Sequence, residues 1–257
     1  MTTLAWAAQD SVVIAQRHLT RIRRVPQMLF FSLIQPLIIL LLFAFVFSSA
    51  IKVAGLDYQS FMLPGVFIQA MGFGAGSTAV GFAAELRNGM TDRFRSMPMA
   101  GGAVIVGRLL FDVVRNLIAL CLLLVVGYAI GFRFGNGVLP VLGGLGVLVA
   151  FSFAISSLGA LIGHYAAGPE AAQMTMIAVA FPLVFASSAY VPMESLPGWM
   201  QVWTAYSPFT VTANALRGLF LGYGGYGAVL PALAWCAGIV AVCLTLAMRR
   251  YRRVGDA

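Results

Sequence analysis

The side chains able to perform acid–base or metal chemistry are few in this chain and are spread along its whole length. The 257 residues include two histidines and eight carboxylates. These residues are His18 and His164, with Asp10, Asp57, Glu85, Asp92, Asp112, Glu170, Glu194 and Asp256. No carboxylate pair and no histidine–carboxylate pair lies one helical turn apart within an apolar stretch. General acid–base and metal-assisted catalysis need such groups to converge, so the spacing argues against an enzyme, although folding can bring distant residues together.

The sequence predicts that this chain itself holds no metal, nucleotide or other cofactor. Cys121, Cys236 and Cys243 all lie within apolar runs without further ligands nearby, which favours small packing residues over a metal site. A phosphate-binding loop needs a lysine, and the only lysine is Lys52, in a short segment between two apolar stretches. If ATP drives this protein, another polypeptide must therefore bind it.

One charge pair lies inside an apolar stretch. Asp112 and Arg115 are three residues apart, so on a helix they share a face and neutralise each other. Ionisable residues within a membrane pair with one another or line a functional pathway. The sequence favours structural pairing here and leaves pathway lining open.

Long uncharged segments dominate the chain and predict an all-α integral membrane protein. Hydrophobic residues make up 61% and charged residues only 9% of the sequence, against about 25% charged in soluble domains. A helix needs about 20 consecutive apolar residues to cross a bilayer. Six transmembrane helices are predicted within one domain spanning residues 1–257, at approximately 26–49, 61–84, 107–130, 138–162, 171–191 and 228–248.

Small residues recur at four-residue spacing within these predicted spans. The pairs are Gly72 with Gly76, Gly127 with Gly131, and Gly159 with Gly163. Such pairs let helix backbones approach closely in lipid. They predict a tightly packed bundle and leave the oligomeric state open.

Arginine placement predicts the orientation in the membrane. The arginines form three groups. The first precedes the first span, the second lies between the second and third spans or just inside the third, and the last follows the sixth span. Their members are Arg17, Arg21, Arg23 and Arg24, then Arg87, Arg93, Arg95, Arg108 and Arg115, then Arg249, Arg250, Arg252 and Arg253. With six spans all three groups fall on one side, which the positive-inside rule assigns to the cytoplasm together with both termini. The net charge of +8 therefore indicates contact with anionic membrane lipids rather than nucleic acid.

Residues 1–24 are predicted to form an amphipathic helix in the cytoplasmic interface. Apolar residues recur at three- and four-residue spacing on one face, and Asp10, Arg17, Arg21 and Arg24 lie on the other. A solvated helix packed on a partner protein is the alternative.

The segment 194–218 is uncharged over most of its length, yet it cannot form one regular spanning helix. Pro197 and Pro208 interrupt it, and Trp199, Trp203 and Tyr206 are typical of the membrane interface. Two short re-entrant helices entering from the extracellular side satisfy these features when protein covers them. A simple interfacial loop fits equally well.

The predicted cytoplasmic loop 85–106 contains a short helix with an apolar knob. Met90, Phe94 and Met97 fall at positions i, i+4 and i+7, while Asp92, Arg93 and Arg95 point elsewhere. Thr91 caps the helix, and Pro98 ends it. Such a helix suits a groove on a partner protein or a position on the lipid surface, and the pattern does not decide between them.

Three motifs resemble the permease subunits of type 2 ATP-binding-cassette transporters. The first comprises Glu85, Gly89 and the run Asp-Arg-Phe-Arg-Ser-Met-Pro-Met at 92–99. The second comprises Leu-Pro-Gly-Trp-Met at 196–200, Pro208, and Ala-Leu-Arg-Gly at 215–218. The third, Gly-Phe-Arg-Phe at 131–134, is similar to the daunorubicin-resistance branch. With the six-span plan, the resemblance covers essentially the whole chain; Ser207 departs from it, since relatives often carry Asn or Gln before the proline.

The resemblance implies an exporter subunit in a bacterial plasma membrane. Two permease subunits, identical or sister copies, would pair above two separate ATPase subunits that hold ATP and Mg. The helix near 90–97 would dock into the ATPase, and segment 194–218 would lie near the outer exit. Implied coupling residues are Glu85, Gly89, Met90, Asp92, Arg93, Phe94, Arg95 and Met97; implied exit residues are Pro197, Trp199, Pro208 and Arg217. Implied substrates are hydrophobic or amphiphilic: antibiotics, polyketides, lipids and glycolipids.

Two other functional classes are less well supported by the sequence. An ATP-independent membrane channel would carry polar or charged rings inside its spans, whereas these spans hold isolated residues such as Gln35, Gln69 and Gln173. A membrane-embedded transferase or protease would need a clustered carboxylate or histidine site.

Overall fold

A computed structural model describes the backbone of residues 26–49, 51, 53, 55–88 and 103–253, and side chains within 34–88 and 105–250 except at 50, 52 and 54. The described part consists of helices and the turns and loops that connect them, with no β-strand. The predicted interfacial helix at 1–24 and the centre of the predicted coupling loop, residues 89–102, lie outside the described residues, so both stay predictions.

Eight α-helices follow one another in the described chain, with two short additions. The helices are α1 Pro26–Leu41, α2 Tyr58–Arg87, α3 Ala103–Ala129, α4 Val138–Tyr165, α5 Pro169–Phe185, α6 Gly198–Tyr206, α7 Pro208–Leu221 and α8 Val229–Arg253. A π-helical turn, Leu42–Phe47, extends α1, and a 3₁₀ turn, Met193–Ser195, precedes α6.

Four of the described helices, α2, α3, α4 and α8, are long and apolar enough to cross a bilayer. They correspond to the second, third, fourth and sixth predicted spans, so the chain is a multi-pass membrane protein. Helices α1 and α5 are apolar but shorter. Leu230 and Val242 of α8 are among many large apolar side chains that remain exposed, as expected for a surface that faces lipid.

The α-helix within the predicted fifth span, approximately 171–191, ends before residue 191, and the bounds of the membrane crossing itself stay a prediction. Helix α5 ends at Phe185, three residues after Pro182, and its 17 residues span about 25 Å. The following residues 186–190 form a turn that is largely buried inside the protein. Side chains from other helices make hydrogen bonds to the backbone of that turn.

Helix α2 lies at the centre of the bundle and packs closely on α4. A Cβ built on Gly159 would lie 2.5 Å from the carbonyl oxygen of Ala75, and one on Gly163 would lie 2.5 Å from that of Ala79. The close approach predicted from this glycine pair is therefore present. Gly72 instead faces the Phe209 ring of α7, and Gly76 faces Gln173 of α5.

Candidate functional site

The structure gathers polar groups inside the bundle at two places. One is the buried turn, which we define as residues 186–190, between α5 and the short helices. The other is the contact between α2 and α3, which we call the α2–α3 seam. Each contains residues that the sequence singled out, together with partners from distant parts of the chain.

The buried turn lies against α2 at a glycine. A Cβ built on Gly65 would lie 2.0 Å from the carbonyl oxygen of Ala189, so only glycine permits this approach. Pro64, next to Gly65, lies inside α2 and lacks the amide hydrogen that an uninterrupted helix would use. At this approach α2 therefore carries a proline followed by a glycine, and the glycine leaves room for the turn.

Arg217 of α7 holds the buried turn in place. Its side chain is fully buried, with 1% exposure. Nη2 donates hydrogen bonds to the carbonyl oxygens of Ser188 at 2.7 Å and Ala189 at 3.0 Å. Nε donates to the Phe61 carbonyl of α2 at 3.0 Å, and the guanidinium carbon lies 3.5 Å from the centroid of the Phe61 ring. One side chain therefore ties α7, α2 and the turn together.

Other side chains bind further backbone groups of the buried turn. The Thr204 hydroxyl donates to the Ala186 carbonyl at 3.1 Å, and the Ser188 amide donates to the Thr210 hydroxyl at 3.0 Å. The Tyr58 hydroxyl donates to the Tyr190 carbonyl at 3.1 Å. Irregular backbone is tolerated at membrane depth only when protein groups satisfy it in this way.

Two short helices follow the buried turn, as the prolines in segment 194–218 predict. Pro197 is the N-cap residue of α6, and Pro208 is the first residue of α7, so each proline marks a helix start. Trp199 is 77% exposed, and Trp203 and Tyr206 are also exposed on the same helix. The helical form of the hairpin is confirmed, whereas its depth in the membrane stays a prediction.

The loop between α3 and α4 fastens the end of α7. The Asn136 side-chain amide donates to the carbonyls of Gly218 at 2.8 Å and Leu219 at 3.1 Å. The Gly135 amide donates to the Phe220 carbonyl at 2.9 Å. The last carbonyls of a helix lack donors within the helix, and this loop supplies hydrogen-bond donors to them.

The predicted Asp112–Arg115 ion pair is present at the α2–α3 seam. Nη1 of Arg115 lies 2.9 Å from Oδ1 of Asp112, whose side chain is fully buried. Oδ2 of Asp112 accepts a hydrogen bond from Thr78 of α2 at 2.6 Å. Arg115 also donates to the Ser77 hydroxyl and, at 2.9 Å, to the Gly74 carbonyl. The pair is therefore a link between two helices as well as a local neutralisation.

A second ion pair closes the seam beside the predicted cytoplasmic loop. Nη1 of Arg108 lies 2.6 Å from Oε1 of Glu85. Its guanidinium lies across Gly81, where an added Cβ would come within 1.7 Å of Nη2. Because Glu85 is near the end of α2 and Arg108 near the start of α3, this pair joins the two ends of the loop.

We expect Asp112→Leu to destabilise the protein by about 3 kcal/mol, because it leaves Arg115, whose side chain is only 12% exposed, without its counter-ion. The double variant Asp112→Leu with Arg115→Met should recover most of that loss, since an apolar pair of similar volume suits this environment. Thermal unfolding of the purified protein in detergent measures both. Equal destabilisation in the single and double variants would contradict the assignment of a compensating pair.

Of the residues assigned to coupling by resemblance, the structure describes only Glu85, which pairs with Arg108. Gly89, Met90, Asp92, Arg93, Phe94, Arg95 and Met97 lie outside the described residues. Among the described residues, no group of three or more His, Cys, Asp or Glu side chains is placed to hold a metal ion.

Sequence reasoning missed most of the cross-helix partners. Thr78 and Ser77 look like ordinary polar residues in an apolar span, and only the fold brings them to Asp112 and Arg115. The burial of Arg217 had one local signal: this arginine is the only charged residue between Glu194 and Arg249. Such an isolated charge in an apolar region indicates a satisfied internal cation.

Comparison with known proteins agrees with this architecture. Residues 10–221 match the family model described as ABC-2 type transporter. The chain is 36% identical over 248 residues, 96% of its length and 88% of the relative's, to a daunorubicin resistance ABC transporter permease protein, DrrB1, from Streptomyces coeruleorubidus. It is 28% identical over 192 residues, 75% of its length and 69% of the relative's, to a probable doxorubicin resistance ABC transporter permease protein, DrrC, from Mycobacterium tuberculosis. A putative transport permease, ycf38, from Cyanophora paradoxa is 24% identical over 220 residues, 82% and 74% of the two chains. The match over most of the chain, on a bundle of apolar helices, shows that this protein belongs to the ABC-2 type transporter family.

Proposed function

We propose that this chain is the transmembrane permease subunit of an ATP-driven exporter of hydrophobic or amphiphilic compounds. The observation that carries the proposal is its similarity, along 96% of its length, to a permease named for daunorubicin resistance. The exposed apolar helices and the internally satisfied polar groups support it, since both suit a protein that handles apolar molecules within a bilayer.

The proposed exporter divides its work between chains. This chain contributes the membrane path, and a partner ATPase binds ATP and Mg and hydrolyses the nucleotide. Two ATPase subunits pair with two permeases, the second permease being an identical or a sister copy. The only lysine, Lys52, does not stand in a phosphate-binding sequence of the G-x-x-x-x-G-K-[ST] type, which supports this division.

The proposed topology has six membrane crossings in a bacterial plasma membrane, with both termini cytoplasmic. In this arrangement α1 with its π turn and the short α5 are the first and fifth crossings. Arginine placement supports the orientation, because six crossings put Arg87, Arg108 and Arg250 on the same side of the membrane, which the positive-inside rule assigns to the cytoplasm. Helices α6 and α7 then lie on the extracellular side as the re-entrant hairpin.

Coupling in this proposal runs through the loop 85–106. ATP binding closes the ATPase pair, and the loop transfers that movement to the membrane bundle by alternating access or lateral extrusion. The Arg108–Glu85 pair supports the route, because it makes the end of α2 and the start of α3 respond together. An ATPase can shift the permease between two states only by contacting those states differently.

The test is substrate-stimulated ATP hydrolysis by the permease purified with its ATPase. We expect Phe94→Ala and Arg95→Glu each to reduce stimulation by doxorubicin by about tenfold or more, equivalent to about 1.4 kcal/mol or more in activation free energy. Membrane insertion should be unchanged, because these residues precede the third span and lie outside the apolar stretches.

Matched controls come from elsewhere in the same chain. Phe45→Ala removes an exposed aromatic ring from the π turn, and Arg133→Glu reverses an exposed charge in the loop between α3 and α4. Both should keep normal stimulation. Normal stimulation in the Phe94 and Arg95 variants would remove the coupling assignment, and purification of the chain without any ATPase would overturn the exporter itself.

A further inference from the structure

A small apolar cluster lies at the end of the bundle that carries the 85–106 loop. It takes one or two side chains from each of the four long helices, and we call it the end cluster. Its members are Phe82 of α2, Ile105 and Leu109 of α3, Phe153 and Ala160 of α4, and Leu244 and Met248 of α8. The end cluster is separate from the larger core, which contains Phe67 and Phe151. The long helices therefore have a packing unit of their own beside the loop.

Both ends of the loop enter the end cluster. Phe82 lies three residues before Glu85, and Ile105 lies three residues before Arg108, so each is one helical turn from a member of the Glu85–Arg108 ion pair. The arginine and glutamate side chains are only 11% and 17% exposed, so salt screens their attraction less than that of an exposed pair. A displacement of the loop therefore moves the end of α2 and the start of α3 together.

The Phe82 ring connects this ion pair to α4. The guanidinium carbon of Arg108 lies over the ring, 5.1 Å from its centroid, which is within the range of a cation–π contact. The imidazole of His164 on α4 lies against the same phenyl ring, with 4.8 Å between the two centroids. Phe82 and His164 are both buried. One buried ring thus contacts side chains of α3 and α4 while it belongs to α2.

Close contact leaves little slack between Phe82 and α4. A Cβ built on Gly163 would lie 2.8 Å from the Cβ of Phe82 and 2.5 Å from the carbonyl oxygen of Ala79. Nδ1 of His164 donates a hydrogen bond to the Ala160 carbonyl at 2.7 Å, which holds the imidazole against its own helix. Close-packed interiors transmit strain because they contain few voids. A shift of the Phe82 ring is therefore expected to displace α4.

An exposed ion pair offers a second route from the end of α2. Nη1 of Arg87 lies 3.9 Å from Oε2 of Glu170, at the start of α5. The two side chains are 61% and 84% exposed. Exposed ion pairs contribute little and are screened by salt. The buried route through Phe82 is therefore the stiffer of the two.

We propose that Phe82 is a positioning residue for coupling, whose ring passes the movement of the 85–106 loop from the Glu85–Arg108 pair to His164 and so to α4. The proposal rests on the proposed function, because a partner ATPase has to move the loop. An aromatic side chain is required, since leucine would still fill much of the end cluster but would offer no π face to the guanidinium or the imidazole.

Two fluorescent reporters on the permease, purified with a cysteine-free ATPase, separate movement of the loop from movement of α4. Asn88 directly follows α2, Ala167 lies just after α4, and both are exposed, so each in turn is replaced by cysteine and labelled with bimane. The background carries Cys121→Ser, because Cys121 is exposed whereas Cys236 and Cys243 are buried. We expect ATP to change the fluorescence of both reporters in the parent complex.

Phe82→Leu should separate the two responses. We expect the Asn88 reporter to keep its response to ATP and the Ala167 reporter to lose about fivefold, the low end of the range for coupling between sites. Phe153→Leu is the matched control, because it makes the same change within the end cluster and leaves the Phe82 ring in place. It should preserve both responses.

His164 provides an independent variant from the other side of the contact. His164→Ala should lower the Ala167 response as Phe82→Leu does, whereas His164→Phe keeps a ring against Phe82 and should retain it. Glu170→Gln weakens the exposed contact with Arg87 and should leave both reporters unchanged. Co-purification of the ATPase shows which variants assemble, and His164→Ala decides the question if Phe82→Leu does not.

Three results would overturn the proposal: an undiminished Ala167 response in Phe82→Leu and His164→Ala, loss of the Asn88 response together with it, or the same loss in Phe153→Leu. The last two would mean that the end cluster only stabilises the fold. Doxorubicin-stimulated ATP hydrolysis by the parent complex separates this failure from failure of the exporter. Normal stimulation without any reporter response removes the relay alone, whereas a complex without stimulation removes the exporter.

Discussion

Replacing Gly65 with alanine is expected to prevent the protein from reaching its folded, monodisperse form. The added Cβ would lie 2.0 Å from the carbonyl oxygen and 2.6 Å from the carbonyl carbon of Ala189. Both are backbone atoms, so no side-chain rotation can relieve the overlap. The carbonyl cannot simply retreat either, because Arg217 donates a hydrogen bond to it at 3.0 Å. The buried turn would have to leave α2, with its polar groups no longer satisfied in an apolar environment.

Size-exclusion chromatography of a fluorescently tagged protein in mild detergent measures this outcome. We expect the monodisperse peak to disappear for Gly65→Ala. Gly146→Ala is the matched control, since Gly146 lies within α4 and a Cβ there meets no atom within 4 Å. Alanine also favours helix by about 1 kcal/mol over glycine, so the control should be at least as stable as the parent protein. A normal peak for Gly65→Ala would show that the turn does not lie against α2 in this way.

Much of the fold follows from the composition of local segments. Uncharged runs of sufficient length predicted the apolar helices α2, α3, α4 and α8, because a bilayer crossing requires little more than length and hydrophobicity. Pro197 and Pro208 predicted two short helices in place of one long helix. The Asp112–Arg115 pair was also local, since three-residue spacing on a helix sets its geometry.

The features that escaped the sequence all depend on contacts between distant segments. Residues 186–190 follow Pro182 and include two serines, but these local signals do not show that the turn is buried or which groups satisfy it. The turn forms because Tyr58, Thr204, Thr210 and Arg217, from three other helices, supply its hydrogen bonds. A pattern of residues along one segment carries no information about those partners.

The α2–α3 seam shows the same division. Helical periodicity places Phe67, Ala70, Met71 and Gly74 on one side of α2, and it does the same for the facing residues of α3. That these two sides face each other, and that Asn116 lies between the apolar and the charged parts of the seam, follows only from the packed bundle. The predicted coupling helix at 90–97 rests on sequence and resemblance alone, and for this reason its test is functional.

Replacing Arg217 with alanine is expected to be the most damaging loss of a single polar side chain. It would strand the Ser188 and Ala189 carbonyls in a buried site, where each unsatisfied group costs about 1–3 kcal/mol, giving a total near 4 kcal/mol. It would also remove the cation that lies over the Phe61 ring. No carboxylate partners this arginine among the described contacts, so the variant leaves no opposite charge behind to add to the effect.

A lysine substitution tests whether Arg217 acts through the hydrogen bonds of its guanidinium group or only through its positive charge. Arg217→Lys keeps the charge but loses the planar fork that reaches Phe61 and the buried turn at once, so we expect it to recover only part of the stability. Arg133→Ala is the control, because Arg133 also donates to backbone carbonyls, of Tyr128 and Phe132, but from an exposed position. Thermal unfolding in detergent should place Arg217→Ala about 10 °C below the parent protein, given the shift of about 2–4 °C per kcal/mol for chains of this size, with Arg133→Ala nearly unchanged. If Arg217→Lys were as stable as the parent protein, the positive charge alone would explain the role of Arg217. If Arg217→Ala had no effect, the other partners would hold the turn, and Arg217 would not be the link between α7 and α2.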